Sequence, residues 1–445
     1  MSKQILKLSL VAAAMAMATG QAHSAAFQLA EQNATGLGRA YAGEGAIGDN
    51  ASVLGRNPAA MTLFDRPALS AGAIYINPDV DVEGKGALAT AGQANGLPTS
   101  SQDIADDAVV PFFYYVQPLN EQWAMGFGAF TNYGLSTSYQ NNHYAGSVAG
   151  STSLKTLNLN PNIAFKANQH LSLGAGFNAV YADAELIRHS GIAAGNVNAA
   201  TGGATSLVPT SEFVRLKGDD WGYGWNIGLL LEADEYNRWA LTYRSKVDLT
   251  LEGEYSSALP QQPNNASISA GLPVGTSSIS KPGSLDLSLP AIAEISGFHQ
   301  VQPDWALHYG LMWTEWSTFE ELRALDNQGG SYFAKPEGFE NSWRMSMGAT
   351  HQLNDQLTLR GGLAYDKSPV PENARSISIP DVDRIWYTVG ATYALNENLS
   401  MDASFAFLDG KKVTVREDSG IPNTPYEFIS GGDAYLFGVQ MNYTF

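Results

Sequence analysis

Cysteine is absent from all 445 residues. Disulfides are therefore excluded as a source of stability, and with them thiolate metal sites and cysteine nucleophiles. Charge is scarce as well: Asp, Glu, Lys and Arg make up 15% of the chain, and the balance is acidic at net −18. An acidic surface is a poor match for a phosphate backbone, so nucleic acid is not an expected partner. Beyond the first two dozen residues no apolar run is long enough to cross a bilayer as a helix. Catalytic signatures are also missing. No Gly-x-Ser-x-Gly elbow occurs, and the glycines of 36–48 do not follow a strand as a nucleotide loop would. The histidines beyond residue 24 (His143, His170, His189, His299, His308 and His351) lack close metal-ligand spacing. No enzyme activity, cofactor or metal centre is expected. Asp79, Asp81 and Glu83 cluster in one stretch, where a divalent-ion site competes with a solvated acidic loop.

What is present points to export and to strands. Lys3 and Lys7 precede an apolar stretch over 8–18, and Ala22-His23-Ser24 puts small residues at −3 and −1 before Ala25. That pattern predicts a secretory signal over residues 1–24, with Ala25 as the first mature residue. Aromatic residues reach 11% and glycines number 45. Apolar and polar residues then alternate with period two, the mark of a half-buried strand. Over 239–251 the odd positions read Trp239, Leu241, Tyr243, Ser245, Val247, Leu249 and Leu251 against Ala240, Thr242, Arg244, Lys246, Asp248 and Thr250. Leu171 to Tyr181, Trp305 to Trp313 and Tyr387 to Leu395 alternate likewise.

Short polar turns punctuate these runs at Asn120-Glu121-Gln122, Asn168-Gln169-His170, residues 234–238, Gln302-Pro303-Asp304, Asn354-Asp355-Gln356 and Asn396-Glu397-Asn398. Between them lie Gly/Ser/Asn/Pro-rich stretches at 80–108, 140–151, 189–211, 254–283, 324–330, 369–380 and 410–424. Short turns on one rim and long loops on the other predict an outer-membrane barrel of about fourteen antiparallel strands, with the turns facing the periplasm. The last run, Tyr435, Phe437, Val439, Met441, Tyr443 and terminal Phe445, predicts a closing strand with an apolar outer face. Barrel-assembly machinery would engage it through Phe445, and membrane lipid would surround the barrel. Residues 25–66 do not alternate, yet they carry Phe27, Leu29, Leu37, Tyr41, Leu54 and Met61. Such apolar content predicts a plug inside the lumen of a barrel spanning 67–445; the competing reading is a disordered periplasmic extension.

Gly36-Leu37-Gly38-Arg39-Ala40-Tyr41, Gly43-Glu44-Gly45-Ala46-Ile47, Arg56-Asn57-Pro58-Ala59 and Phe64-Asp65-Arg66-Pro67 resemble the hatch of FadL-type long-chain fatty acid transporters. Asn132-Tyr133-Gly134-Leu135, residues 239–245 and Ser378-Ile379-Pro380-Asp381 to Arg384 also resemble that family, so the likeness covers essentially the whole chain. It implies a fourteen-stranded barrel with an N-terminal hatch that takes up long-chain fatty acids passively. Outer loops capture the ligand, an apolar lumen pocket binds it, hatch movement releases it, and it leaves sideways through a gap at the third strand. It further implies that Phe27 and the Asn57-Pro58-Ala59 turn take part in gating, that Gly134 marks the strand kink, and that Arg188 and Lys335 meet the ligand carboxylate. Arg188 shares the parity of Leu186 and so points inward. Strict alternation with Trp343 and Met345 would turn Lys335 outward unless Pro336 and Gly338 break the register. Structural turns or barrel-corner glycines compete for Asn57 to Ala59 and Gly134, and solvated rim charges for Arg188 and Lys335. Neutral compounds such as aromatic hydrocarbons are the alternative cargo. An open diffusion porin and an outer-membrane lipase are the readings from other classes.

Overall fold

The computed structural model describes residues 26–200, 205–261 and 273–445, so the expected signal lies outside the described residues. No helix among them is long and apolar enough to cross a membrane. The chain instead forms a closed antiparallel barrel of 14 strands. They are β1 (Ala68–Lys85), β2 (Ala108–Pro118), β3 (Trp123–Phe130, resumed as Gly134–Ser138), β4 (Gly150–Asn168), β5 (Leu171–His189), β6 (Glu212–Glu232) and β7 (Asn237–Arg244, resumed as Val247–Ser256). β8 (Lys281–Leu289, resumed as Ile292–Gln302), β9 (Trp305–Thr314, resumed as Glu321–Asp326), β10 (Ser331–Pro336, resumed as Ser342–Gln352), β11 (Leu357–Asp366), β12 (Arg384–Ala394), β13 (Leu399–Gly410) and β14 (Tyr426–Thr444) complete the ring. β1 pairs with β14 from Ala68↔Thr444 to Lys85↔Glu427. This seam pairs the first strand with the last, sparing the sheet the two terminal edges that a lipid environment would penalise by several kcal/mol per unpaired group.

The alternation has the physical meaning expected of it. On β12, Ile385, Tyr387 and Val389 are exposed while Arg384, Trp386 and Thr388 are buried. The same outward face on β14 presents Tyr435, Phe437, Val439, Met441 and Tyr443. An exposed apolar belt of this kind is costly in water and suits the lipid-facing side of a transmembrane barrel. The tight turns are built by asparagine. Asn120, Asn354 and Asn396 each accept from two backbone amides two and three residues on, closing Asx turns that begin β3, β11 and β13.

Three details depart from the expected strands. β1 continues to Lys85, into the stretch read as loop, because β14 pairs with it throughout. A helix, α1 (Gly86–Ala94), follows at once. β12 begins at Arg384, not directly after the loop-like stretch 369–380, since Ile379 and Asp381 are buried and Asp381 pairs with the Arg384 guanidinium. The run 239–251 is not one uninterrupted face. Asn226 faces Arg244 below the break, while Asp219 faces Glu252 above it, a one-residue slip at Ser245–Lys246. The slip inverts the faces. Leu241 points to lipid, whereas Val247, Leu249 and Leu251 are buried within the barrel.

Residues 26–47 are buried without exception. Their polar contacts reach inward-facing groups around the ring: Thr35 to Asp402 on β13 at 2.9 Å, Gly45 N to Ser296 on β8 at 3.2 Å, and the Ala40 carbonyl from Arg344 on β10 at 3.2 Å. Arg39, itself buried, binds Glu44 at 3.0 Å and Asp49 at 2.9 Å.

Candidate functional site

The wall is interrupted at β3. The β2–β3 ladder ends at Phe113↔Ala129, and the resumed piece Gly134–Ser138 pairs with β4 alone among the described strands. Phe130 faces Asn158 on β4, but Gly134 faces Lys155, so β3 carries one extra residue across the break. Glycine at 134 suits a bulge of this kind. A space of about 270 Å³, partly open to solvent, lies here between Val109, Pro111, Gly134 and Lys155. The backbone groups freed by the break are bonded by the N-terminal segment. Gly134 N donates to the Phe27 carbonyl at 2.8 Å, and Leu29 N donates to the Asn132 carbonyl at 2.7 Å. Residues 27–29 thus act as a short strand laid against the gap.

The same segment closes a cavity. Phe27 lines an apolar space of about 650 Å³, partly open to solvent, with Leu135, Leu154, Leu186, Leu251 and Phe319. Its ring meets Trp316 edge-on at 4.6 Å and Phe319 at 5.1 Å. The slip in β7 is what turns Leu251 inward to help form this wall. Phe27 and Gly134 are therefore brought together, one carbonyl apart, at the junction of pocket and gap.

Arg188 and Lys335 belong to a polar cluster next to that pocket. Arg188, 4% exposed, donates from Nη2 to Thr152 Oγ1 at 3.0 Å, and Thr152 is part of the pocket wall. Its Nη1 bonds the Ser151 and Ile187 carbonyls at 3.1 and 2.8 Å. Lys335 reaches inward, because residues 337–341 leave the ladder. Its Nζ lies 3.0 Å from Ser378 Oγ, 3.1 Å from Glu337 and 3.9 Å from Glu417. Both glutamates are buried and act electrostatically on Arg188 as well. Burial raises the carboxyl of Glu417, which stands on the segment Val413–Glu417 between β13 and β14, with Lys335 pulling the other way. Lys335 is thus already compensated, while Arg188 meets carbonyl and hydroxyl oxygens.

Asn57, Pro58 and Ala59 are not brought to this site. Asn57 caps the short helix Pro58–Leu63, accepting from Ala59 N at 3.0 Å, and donates to the Gly45 carbonyl at 2.7 Å and the Leu229 carbonyl at 3.3 Å. Two facing wall glycines, Gly174 and Gly228, make room for the turn. A Cβ on Gly174 would lie 2.5 Å from the Pro58 carbonyl carbon, and one on Gly228 would overlap Asn57 Oδ1. The acidic cluster also differs from expectation. Asp103 joins Asp79 and Asp81 within 4.8 Å, whereas Glu83 pairs with Lys85 instead. Sequence reasoning missed Glu337, Glu417, Trp316 and Phe319. Each sits in a segment where neither alternation nor motif marks it.

A family model described as outer membrane protein transport protein (OMPP1/FadL/TodX) matches residues 15–445. The long-chain fatty acid transport protein of Escherichia coli O6:H1 is 44% identical over 453 residues, covering 100% of this chain and 99% of its own. Among solved structures, a Pseudomonas aeruginosa FadL homologue superposes with a TM-score of 0.80 at 23% identity, covering 94% of this chain and 99% of its own. The Pseudomonas putida toluene transporter TodX gives 0.67 at 18% identity, covering 95% and 100%. At such identities the two structures speak for the fold.

Proposed function

The chain belongs to the OMPP1/FadL/TodX family of outer-membrane transport proteins, and from that premise we propose that it carries long-chain fatty acids passively into the outer membrane. The ligand is gathered by the outer loops and seated in the apolar cavity, with its carboxylate toward Arg188 and Lys335. Residues 25–66 serve as the hatch. Withdrawal of residues 26–29 removes Phe27 from the pocket wall and uncovers the break at Gly134 in one movement, because one peptide segment does both jobs. The ligand then leaves sideways into lipid. Each methylene kept out of water is worth about 0.8 kcal/mol, a gain that a water-filled lumen could not supply. No nucleotide or proton gradient is needed.

The observation that carries this reading is Arg188: a buried guanidinium bonded to the wall of an apolar pocket and free of a contacting carboxylate among the described residues. The second reading, uptake of neutral compounds such as aromatic hydrocarbons, is favoured by Lys335 already having Glu337 and Glu417 as partners. Titration of oleate and toluene against wild type and an Arg188→Met/Lys335→Met double variant separates the two. Under the first reading, loss of charge-assisted hydrogen bonds weakens oleate by roughly tenfold or more and spares toluene. Unchanged oleate affinity in the double variant removes the carboxylate site; binding of toluene without oleate selects the second reading. Growth on oleate of an envelope strain lacking its own transporter, restored by this protein, tests transport itself.

A further inference from the structure

Arg244 stands just before the one-residue slip in β7, beside a space lined by Asn132, Asn158 and Asn178 rather than in the wall of the apolar cavity. Arg244 points into the lumen. Its Nη2 donates to the Gly55 carbonyl at 2.7 Å, its Nη1 to Asn178 Oδ1, and its guanidinium lies over the Phe130 ring at 5.4 Å. Among the described residues, the titratable groups that act on it are Tyr133, Tyr114 and Arg56, with no carboxylate among them. Arg56, by contrast, has Glu294 at 3.3 Å. Arg244 is half-buried, and a partly desolvated cation with no carboxylate in contact gains from pairing with an anion.

A small polar space adjoins it. Arg244 borders a separate space of about 290 Å³, partly open to solvent, with Asn132, Tyr133, Thr156, Asn158 and Asn178. Tyr133 and Thr156 also border the gap at Gly134, and Leu154 borders both the gap and the apolar pocket. Shared lining residues thus link the three in sequence: pocket, wall break, Arg244. Tyr133 stands at their meeting point, its hydroxyl tied to the Pro290 carbonyl at 2.6 Å.

We propose that Arg244, with the asparagine-lined space beside it, is a second head-group subsite, which takes the carboxylate of an acyl ligand while its tail passes through the break in β3. An acid leaving Arg188 would otherwise have to cross the apolar pocket with its charge unpaired. A cation beside the exit lowers that barrier in the way a buried ion pair offsets desolvation. This proposal rests on fatty-acid transport being the function, and it names where the head group goes after the first site.

Two measurements test it separately from that reading. In the first, crystals of wild type and Arg244→Gln are soaked with 2-bromopalmitate, whose bromine lies next to the carboxylate. Anomalous density beside Arg244 in wild type and its loss in the variant support the subsite; no bromine there in wild type overturns it, whatever the transport result. In the second, uptake of oleate and of oleyl alcohol is followed in cells making wild type, Arg244→Gln or Arg244→Lys, each first checked for the heat-modifiable gel mobility of a folded barrel. The subsite predicts that Arg244→Gln slows oleate roughly tenfold, on the scale of a lost charge-assisted hydrogen bond, leaves the alcohol within about twofold, and that Arg244→Lys retains most of the oleate rate. An equal fall for acid and alcohol makes the arginine a structural prop and overturns the proposal, as does no fall for either. Wild type that carries neither ligand yet shows the bromine at Arg244 would sink the transport reading and leave the subsite standing.

Discussion

Adding one methyl group at Gly228 should loosen the N-terminal segment without disturbing the barrel. The Cβ of Gly228→Ala would overlap Asn57 Oδ1 and come to 3.0 Å from Pro58 Cδ. Asn57 cannot yield freely. Its side chain is held by donation to the Gly45 and Leu229 carbonyls at 2.7 and 3.3 Å, and by the Ala59 amide at 3.0 Å. A shift that breaks two of these neutral bonds costs about 2 kcal/mol. The β5–β6 ladder continues on both sides of Gly174↔Gly228, so the wall should keep its pairing. Local opening of residues 45–64 is then favoured by roughly 30-fold, which deuterium exchange reads as correspondingly faster uptake in peptides from that region. Peptides from β11 to β14 should exchange as in wild type. Gly195→Ala is the control, because nothing lies within 4 Å of a Cβ there. Exchange of residues 45–64 within about twofold of wild type would show that the Asn57 turn is not held by this close approach, and the reasoning fails.

Glu31 should make docking of the N-terminal segment sensitive to pH. Burial pushes its carboxyl up to about 7, with its own backbone amide and Arg344 pulling the other way. A raised carboxyl destabilises the docked form above that value, and the penalty is relieved as pH falls from about 7 toward the ordinary glutamate value of 4.5. Rate-corrected exchange of residues 26–40 should therefore slow on acidification in wild type and stay flat in Glu31→Gln; a pH slope that survives in Glu31→Gln rules this out. Phe27→Ala deletes a ring 2% exposed and packed edge-on against two aromatic rings. The loss of about 3 kcal/mol should free its carbonyl and speed exchange of the Gly134 amide, whereas an unaltered Gly134 amide would mean the ring does not hold the segment in place. Because the chain has no cysteine, thiols placed at Val109 and Lys155, which line the break from both sides, can be bridged cleanly. A flexible bis-maleimide across them should stop oleate uptake and leave oleate binding intact; uptake that continues would send the ligand by another route.

The barrel was legible because its cause is local. Lipid outside and packed lumen inside force an alternation of period two, and asparagine turns announce themselves by composition, so the fourteen traverses could be read from residue order. The family likeness followed from contiguous motifs for the same reason. The site was legible only in part. Arg188 lies inward as its parity required, but the partners that set the charge around Lys335 come from two outer segments, Glu337 and Glu417, which neither period nor motif relates. The run 239–251 read as one continuous face, yet a single-residue slip turned Leu249 and Leu251 into the barrel. That slip is decided by two neighbouring strands at once, as is the break at Gly134, whose freed amide is bonded by a residue more than a hundred positions earlier. What residue order determined was which face of each strand meets lipid; what only the closed barrel decided was where the ladders fail and which distant groups meet there, because pairing register is a property of neighbouring strands and not of any one of them.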